Sequence, residues 1–167
     1  KLSGFNNAAR HSAWLVLTDL DNDSCPPDVI SQWMAGFKKN DNLIFRVAVK
    51  EVETWLLADR VNFSKYMGVA RDKIKPEVEA IVNPKEFVIQ LAGKSAKRSI
   101  RNDIVPELGT SAKFGKNYNN CLIDFVHNNW DIHKARRASK SLDKTMKALE
   151  RLIDDGKNEA KPTGIRA

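Results

Sequence analysis

The chain has 167 residues, 42% hydrophobic and 29% charged, with a net charge of +7; this is the balance of an ordinary globular domain with a bias toward polyanionic partners, usually nucleic acid. No apolar run approaches the roughly 18 residues of a membrane span, no signal-peptide pattern opens the sequence, and two distant cysteines, Cys25 and Cys121, form neither a disulfide framework nor a metal spacing. A cytoplasmic protein with reduced thiols and no membrane association is the expectation.

In chain order, Phe5 to Arg10 reads as a short helix inside a loop. Trp14 to Thr18 is a continuous apolar run, the pattern of a strand buried on both faces of a parallel sheet. It runs straight into Asp19, Asp21 and Asp23. Pro26 and Pro27 suit a first helical turn, and Val29, Ile30, Trp33, Met34 and Phe37 continue it at helical spacing. Leu43 to Val49 is a second strand, followed almost at once by a helix from Glu51 or Val52 to Asp59. Strand, helix, strand, helix is the order of a right-handed parallel unit.

Beyond residue 60 only helices are expected. Val61 to Met67 is closed by Gly68, Pro76 to Val82 is helical, and Asn83-Pro84-Lys85-Glu86 reads as a capping box opening a helix that stops at Gly93. Lys97 to Val105 ends at Pro106, and Leu108 to Asn117 is a loop. Tyr118, Cys121, Leu122, Phe125 and Val126 form an amphipathic face, and Ser139 or Ser141 can cap a last helix carrying Leu142, Met146, Leu149, Leu152 and Ile153. Three segments result: an α/β part over 1–60, a helical extension over 61–153 and a polar, flexible tail over 154–167. The sequence starts at Lys1 with no strand ahead of Trp14, so a missing N-terminal strand upstream is expected.

The acids after the first strand carry the clearest chemistry. Residues at period two share one side of an extended chain, so Asp19, Asp21 and Asp23 can converge on a hard divalent cation such as Mg2+ or Mn2+. The alternative is a solvated turn, where Asp is favoured for local hydrogen bonding. A calcium loop is excluded because Ser24 and Ile30 stand where it needs Gly and Glu. Glu51 and Glu53 follow the second strand, at the same carboxyl edge if the strands are parallel. Glu is also favoured in a first helical turn by the macrodipole alone; Glu53 is preferred over Glu51 as the neighbour of the aspartates. The basic residues Lys94, Lys97, Arg98, Arg101, Lys113, Lys116, Lys134, Arg136 and Arg137 collect in the half without these acids, either as a nucleic-acid surface or as solvated helix faces. Tyr118 and Trp130 read as core rather than as base-stacking groups, and His11, His127 and His133 have no ligand spacing.

An apolar strand ending in Thr18-Asp19-Leu20-Asp21 resembles the Asp-x-Asp motif of Toprim domains, shared by topoisomerases, primases and nucleases of the overcoming-lysogenization-defect type. Val52-Glu53-Thr54-Trp55-Leu56-Leu57-Ala58-Asp59 resembles the glutamate-plus-Trp-Leu-Leu helix of RloB-like Toprim proteins and of related bacterial proteins linked to anti-phage defence. The resemblance covers about residues 13 to 60. It implies a compact parallel sheet and Mg2+-dependent phosphodiester chemistry, with Asp19 and Asp21 as metal ligands, Asp23 as a turn residue, and Glu53 or Glu51 assisting. Toprim domains also carry a glutamate after their first strand, for which residues 1–13 hold no candidate; the expectation is that it lies upstream of Lys1 or that catalysis has been lost.

The function expected is a Mg2+-dependent nuclease with nucleic acid and possible defence-system proteins as partners: Asp19, Asp21 and Glu53 catalytic; Asp19, Asp21, Glu51 and Glu53 on the metal; and Lys94, Lys97, Arg98, Arg101 and Lys113 on the nucleic acid. The alternatives are a non-catalytic basic binding module and a phosphotransfer enzyme with an aspartyl nucleophile.

Overall fold

The structure is a computed structural model describing residues 2–21 and 25–159, with side chains described through residue 155. Its first part is built on two parallel strands, β1 (Trp14–Asp19) and β2 (Leu43–Ala48), in the register Trp14↔Leu43 to Asp19↔Ala48. Helix α1 (Leu2–Ala8) precedes β1, and α2 (Pro26–Met34) makes the crossover between the strands. α2 ends before Phe37, short of the expected bound: Gly36 takes a φ of +89°, and the backbone leaves the helix at Ala35. Asp23 lies outside the described residues.

The helical part comprises α3 (Glu53–Ala58), α4 (Arg60–Met67), α5 (Pro84–Gly93), α6 (Arg98–Ile104), α7 (Tyr118–Asn128), α8 (Ile132–Ala138) and α9 (Lys140–Glu159). The expected helix over Pro76 to Val82 is only a 3₁₀ turn, Val78–Ala80. The capping box at Asn83 is also absent in its expected form. Asn83 makes no cap bond and instead donates to Glu86 (3.3 Å), while the carboxylate of Glu51 accepts from the N–H of Lys85 at 2.7 Å. A side chain distant in sequence thus does the work assigned to the local one. α8 was not foreseen, although Asp131 caps it by accepting from the N–H groups of His133 and Lys134. α9 continues through residues 154–159, which were expected to be a flexible tail. No helix among the described residues is long and apolar enough to cross a membrane.

Two hydrophobic clusters result. The smaller gathers Leu2, Ala9, Leu20, Val29, Leu43, Phe45 and Val47 between one sheet face and α1 and α2. The larger joins Ala48 and α3 to the helical part around Phe63, Met67, Val88, Ile104, Tyr118, Phe125 and Leu142, with Phe63 and Phe125 edge to face at 5.0 Å. By packing, α3 therefore belongs with the helices that follow it. α9 lies over β2, while the same face of β1 is left open: Leu15 is 45% and Leu17 39% exposed. This corrects the expectation of a strand buried on both sides. The apolar run is present, but among the described residues no third strand or helix buries Leu15 and Leu17 on this face.

Candidate functional site

Asp19 closes β1, and parallel pairing continues past it: the N–H groups of Leu20 and Asp21 both donate to the carbonyl of Lys50, each at 2.9 Å. That tight junction holds Asp21 at φ +49° and Lys50 at φ +32°, the only left-handed non-glycine residues among those described. Such conformations are costly for side-chain-bearing residues and persist where surrounding structure enforces them. The turn aims Val52 back at the strand end, where its N–H donates to Asp19 Oδ1 at 2.8 Å.

Glu51 and Glu53 flank Val52. Glu51 caps α5 through the N–H of Lys85. Glu53 is only 4% exposed; its Oε1 accepts the Tyr118 hydroxyl at 3.0 Å and lies 3.6 Å from Lys85 Nζ. The parallel pair thus brings Asp19, Glu51 and Glu53 to one edge, beside Asp21, with the ammonium of Lys85 among them. Their mutual influence is visible in their acidity. Burial pushes the Asp19 carboxyl above its ordinary range, and the charges of Glu53 and Asp21 push it further, against the pull of the Val52 N–H and Lys85. Glu51 is raised first by burial and then by Glu53 and Asp19. The Tyr118 hydroxyl is raised strongly, first by burial and then by Glu53, so it stays a neutral donor.

Lys85 and Tyr118 were not singled out from the sequence as parts of this site. Tyr118 reads as core from its spacing, and it is buried; only its hydroxyl distinguishes it from Phe. Lys85 does leave a trace, since a lysine in a helix's first turn opposes the macrodipole and calls for acids nearby.

No group of three His, Cys, Asp or Glu among the described residues is close enough to hold an ion. Mg2+ commonly uses one or two carboxylates and takes its remaining ligands from water and substrate phosphates; Asp21 is near enough to Asp19 for its charge to be felt there.

The basic residues expected to hold nucleic acid are elsewhere. Lys94 sits at the far end of α5, roughly 15 Å along its axis from the acids. Lys97 lies over Gly68 and donates to the carbonyls of Lys65 and Tyr66, and Arg101 donates to the carbonyl of Ser95. Lys94, Arg98 and Lys113 are exposed. A second basic surface, a groove of about 590 Å³ between α8 and α9, carries Arg137, Lys140 and Lys144, with Arg136 held by Asp143 and Glu150. The start of α9 meets the carboxyl end of β2, because Ser141 Oγ accepts from Trp55 Nε1 at 2.8 Å and from the N–H of Val49 at 3.5 Å.

Comparison with models of protein families, with curated proteins and with solved structures finds no match to this chain.

Proposed function

We propose that the acidic edge is a divalent-cation site for phosphodiester hydrolysis, as in a Toprim-like, Mg2+-dependent nuclease. One observation carries the reading: the carboxylates of Asp19, Asp21, Glu51 and Glu53 gather beside the Lys85 ammonium at the carboxyl edge of parallel strands, where open α/β sheets bind ligands. Asp19 and Asp21 would hold the metal, which supplies polarisation of the phosphoryl group and a lower pKa for the attacking water. Glu53 and Glu51 act on Lys85 from both ends, one pairing with its ammonium and the other fixing its backbone, so that a half-exposed cation faces the phosphate. The groove between α8 and α9, adjoining the same end of β2, would take the nucleic-acid backbone. The resemblance extends the proposal to a cytoplasmic role in bacterial anti-phage defence, with nucleic acid and defence proteins as partners.

A Mg2+ titration followed by thermal unfolding tests the site without depending on turnover. The chain should gain stability as Mg2+ is added, by RT ln(1 + [Mg2+]/Kd), and Asp19→Asn should abolish the gain. Metal-dependent cleavage of plasmid or RNA should fall together with it. An unfolding midpoint indifferent to Mg2+ sinks the proposal.

A second reading has its own support. Val52 N–H, Lys85 N–H and the Tyr118 hydroxyl already satisfy Asp19, Glu51 and Glu53, which suits a structural junction in a basic nucleic-acid-binding module. That reading requires salt-sensitive binding unaffected by Mg2+ or by Asp19→Asn.

A further inference from the structure

A second site, of opposite charge, lies on the outer side of β2. Strand β2 is apolar except for Arg46, opposite Leu17 in the register and on the sheet face that α9 crosses. The Nε of Arg46 is buried and has no hydrogen-bond partner. A buried guanidinium donor without an acceptor costs about 1–3 kcal/mol and calls for a specific explanation in a native fold. Arg46 also lies within reach of a second guanidinium, that of Arg151 on α9; burial first, and then the charge of Arg151, lowers the pKa of Arg46. Two cations are thus near enough for the charge of Arg151 to be felt at a guanidinium that burial already disfavours.

Both line a slot of about 330 Å³ between α2, β2 and α9, whose apolar walls include Ile30, Met34, Phe45 and Leu152. Lys39 also borders it, but its ammonium is engaged by the carbonyls of Asn40 and Leu43. The acids on the rim, Asp41 and Asp155, are exposed and leave Arg46 Nε without an acceptor.

We propose that this slot binds a small organic anion, its carboxylate or phosphate bridging Arg46 and Arg151 and its apolar body lying between Ile30, Met34, Phe45 and Leu152. Two oxygens on one acidic group match two guanidinium forks, and such charge-assisted pairs are the strongest ordinary hydrogen bonds. The occupant is a small molecule rather than an added β-strand. Leu43, Phe45 and Val47 are each at most 6% exposed, and a slot of about 330 Å³ is of the size that holds a small ligand. The site is separate from the acidic edge, since Asp19, Asp21, Glu51, Glu53 and Lys85 are not among the residues that line the slot.

Calorimetric titration of the whole chain with phenyl phosphate and with benzoate, at constant ionic strength, tests the proposal. At least one should bind saturably, the tighter naming the head group. Arg151→Gln, on an exposed helix position where folding is insensitive, should weaken it about tenfold, the cost of losing one charged hydrogen bond. Arg46→Met, which keeps the apolar stem, should weaken it at least as much, and Asp19→Asn should leave it unchanged. No saturable binding of either probe, or equal affinity in Arg151→Gln, overturns the inference. A parallel loss in Asp19→Asn would also overturn it, by tying the anion to the acidic edge.

Discussion

The two strands of this protein are nearly alike in composition and unlike in circumstance. β2 is buried along its length, between the small cluster under α1 and α2 and the cover of α9. β1, just as apolar, keeps Leu15 and Leu17 open to solvent. Beyond them the helical part closes on itself around Phe63, Phe125 and Tyr118. An apolar run states that a strand can be buried; a neighbour decides whether it is. The same difference separates the two charged sites: acids collect where the strands end, and the paired arginines sit where β2 is covered.

The sharpest way to break this comparison is one substitution made twice. Leu57, fully buried in α3, should lose about 2–5 kcal/mol on replacement by Ala. Leu17→Ala should lose no more than about 1 kcal/mol, because much of that side chain is already in water. Denaturant unfolding of both variants gives the ratio directly, and equal losses would mean that β1 is covered in solution. A smaller effect is expected at the joint between the two parts. Tyr118→Phe keeps the ring and removes the hydroxyl from Glu53, leaving a buried carboxylate short of a donor at a cost of about 1–3 kcal/mol. The same variant should leave binding of small anions at Arg46 unaltered.

The next effect has the opposite sign. Asp19 and Glu51 have folded-state pKa values above their ordinary ones. In the window above the ordinary carboxyl pKa of about 4, the folded state therefore holds more protons than the unfolded one. These two groups favour folding below that window, and their contribution is lost as pH rises through it. Asp19→Asn should accordingly raise the unfolding midpoint at neutral pH, since Asn Oδ1 can still accept from Val52. A lower midpoint would mean that the charge itself, paired with Lys85, supports the fold.

These residues also show how far the sequence could be read. The parallel pair, its crossover helix and the position of Asp19, Glu51 and Glu53 at one edge follow from the two apolar runs and from the order strand, helix, strand, helix, whereas the period-two placement of Asp21 does not hold, because the strand ends at Asp19 and Asp21 turns to φ +49°. Both signals are local. The surroundings of the acids were not legible, because they depend on partners distant in the chain: Tyr118 reaches Glu53 across 65 positions, and Glu51 caps a helix 34 positions away. The basic residues misled for a similar reason. Lys97 stands just ahead of α6 in an extended conformation rather than inside the helix expected from Lys97 to Val105, and backbone carbonyls of α4 and Ser95 lie within reach of Lys97 and Arg101. Arg46 carries a local signal of its own: one arginine inside an apolar strand needs an anion or an exit to water.

The smallest effect tests the open face of β1 most directly. Leu15→Lys puts an ammonium on a flexible stem at a position already 45% exposed and paired in register with the apolar Ile44. The stem can lie over Leu17 while its head reaches water, so stability should change by no more than about 0.5 kcal/mol, as for ordinary surface substitutions. Sedimentation of the wild type and the variant supplies the complementary reading. A monomer in both cases, with unchanged stability, leaves β1 as an apolar edge facing solvent. A large loss of stability, or dissociation of an assembly on introducing the charge, would mean that another chain covers Leu15 and Leu17. The contrast between the two strands would then be one between intramolecular and intermolecular burial.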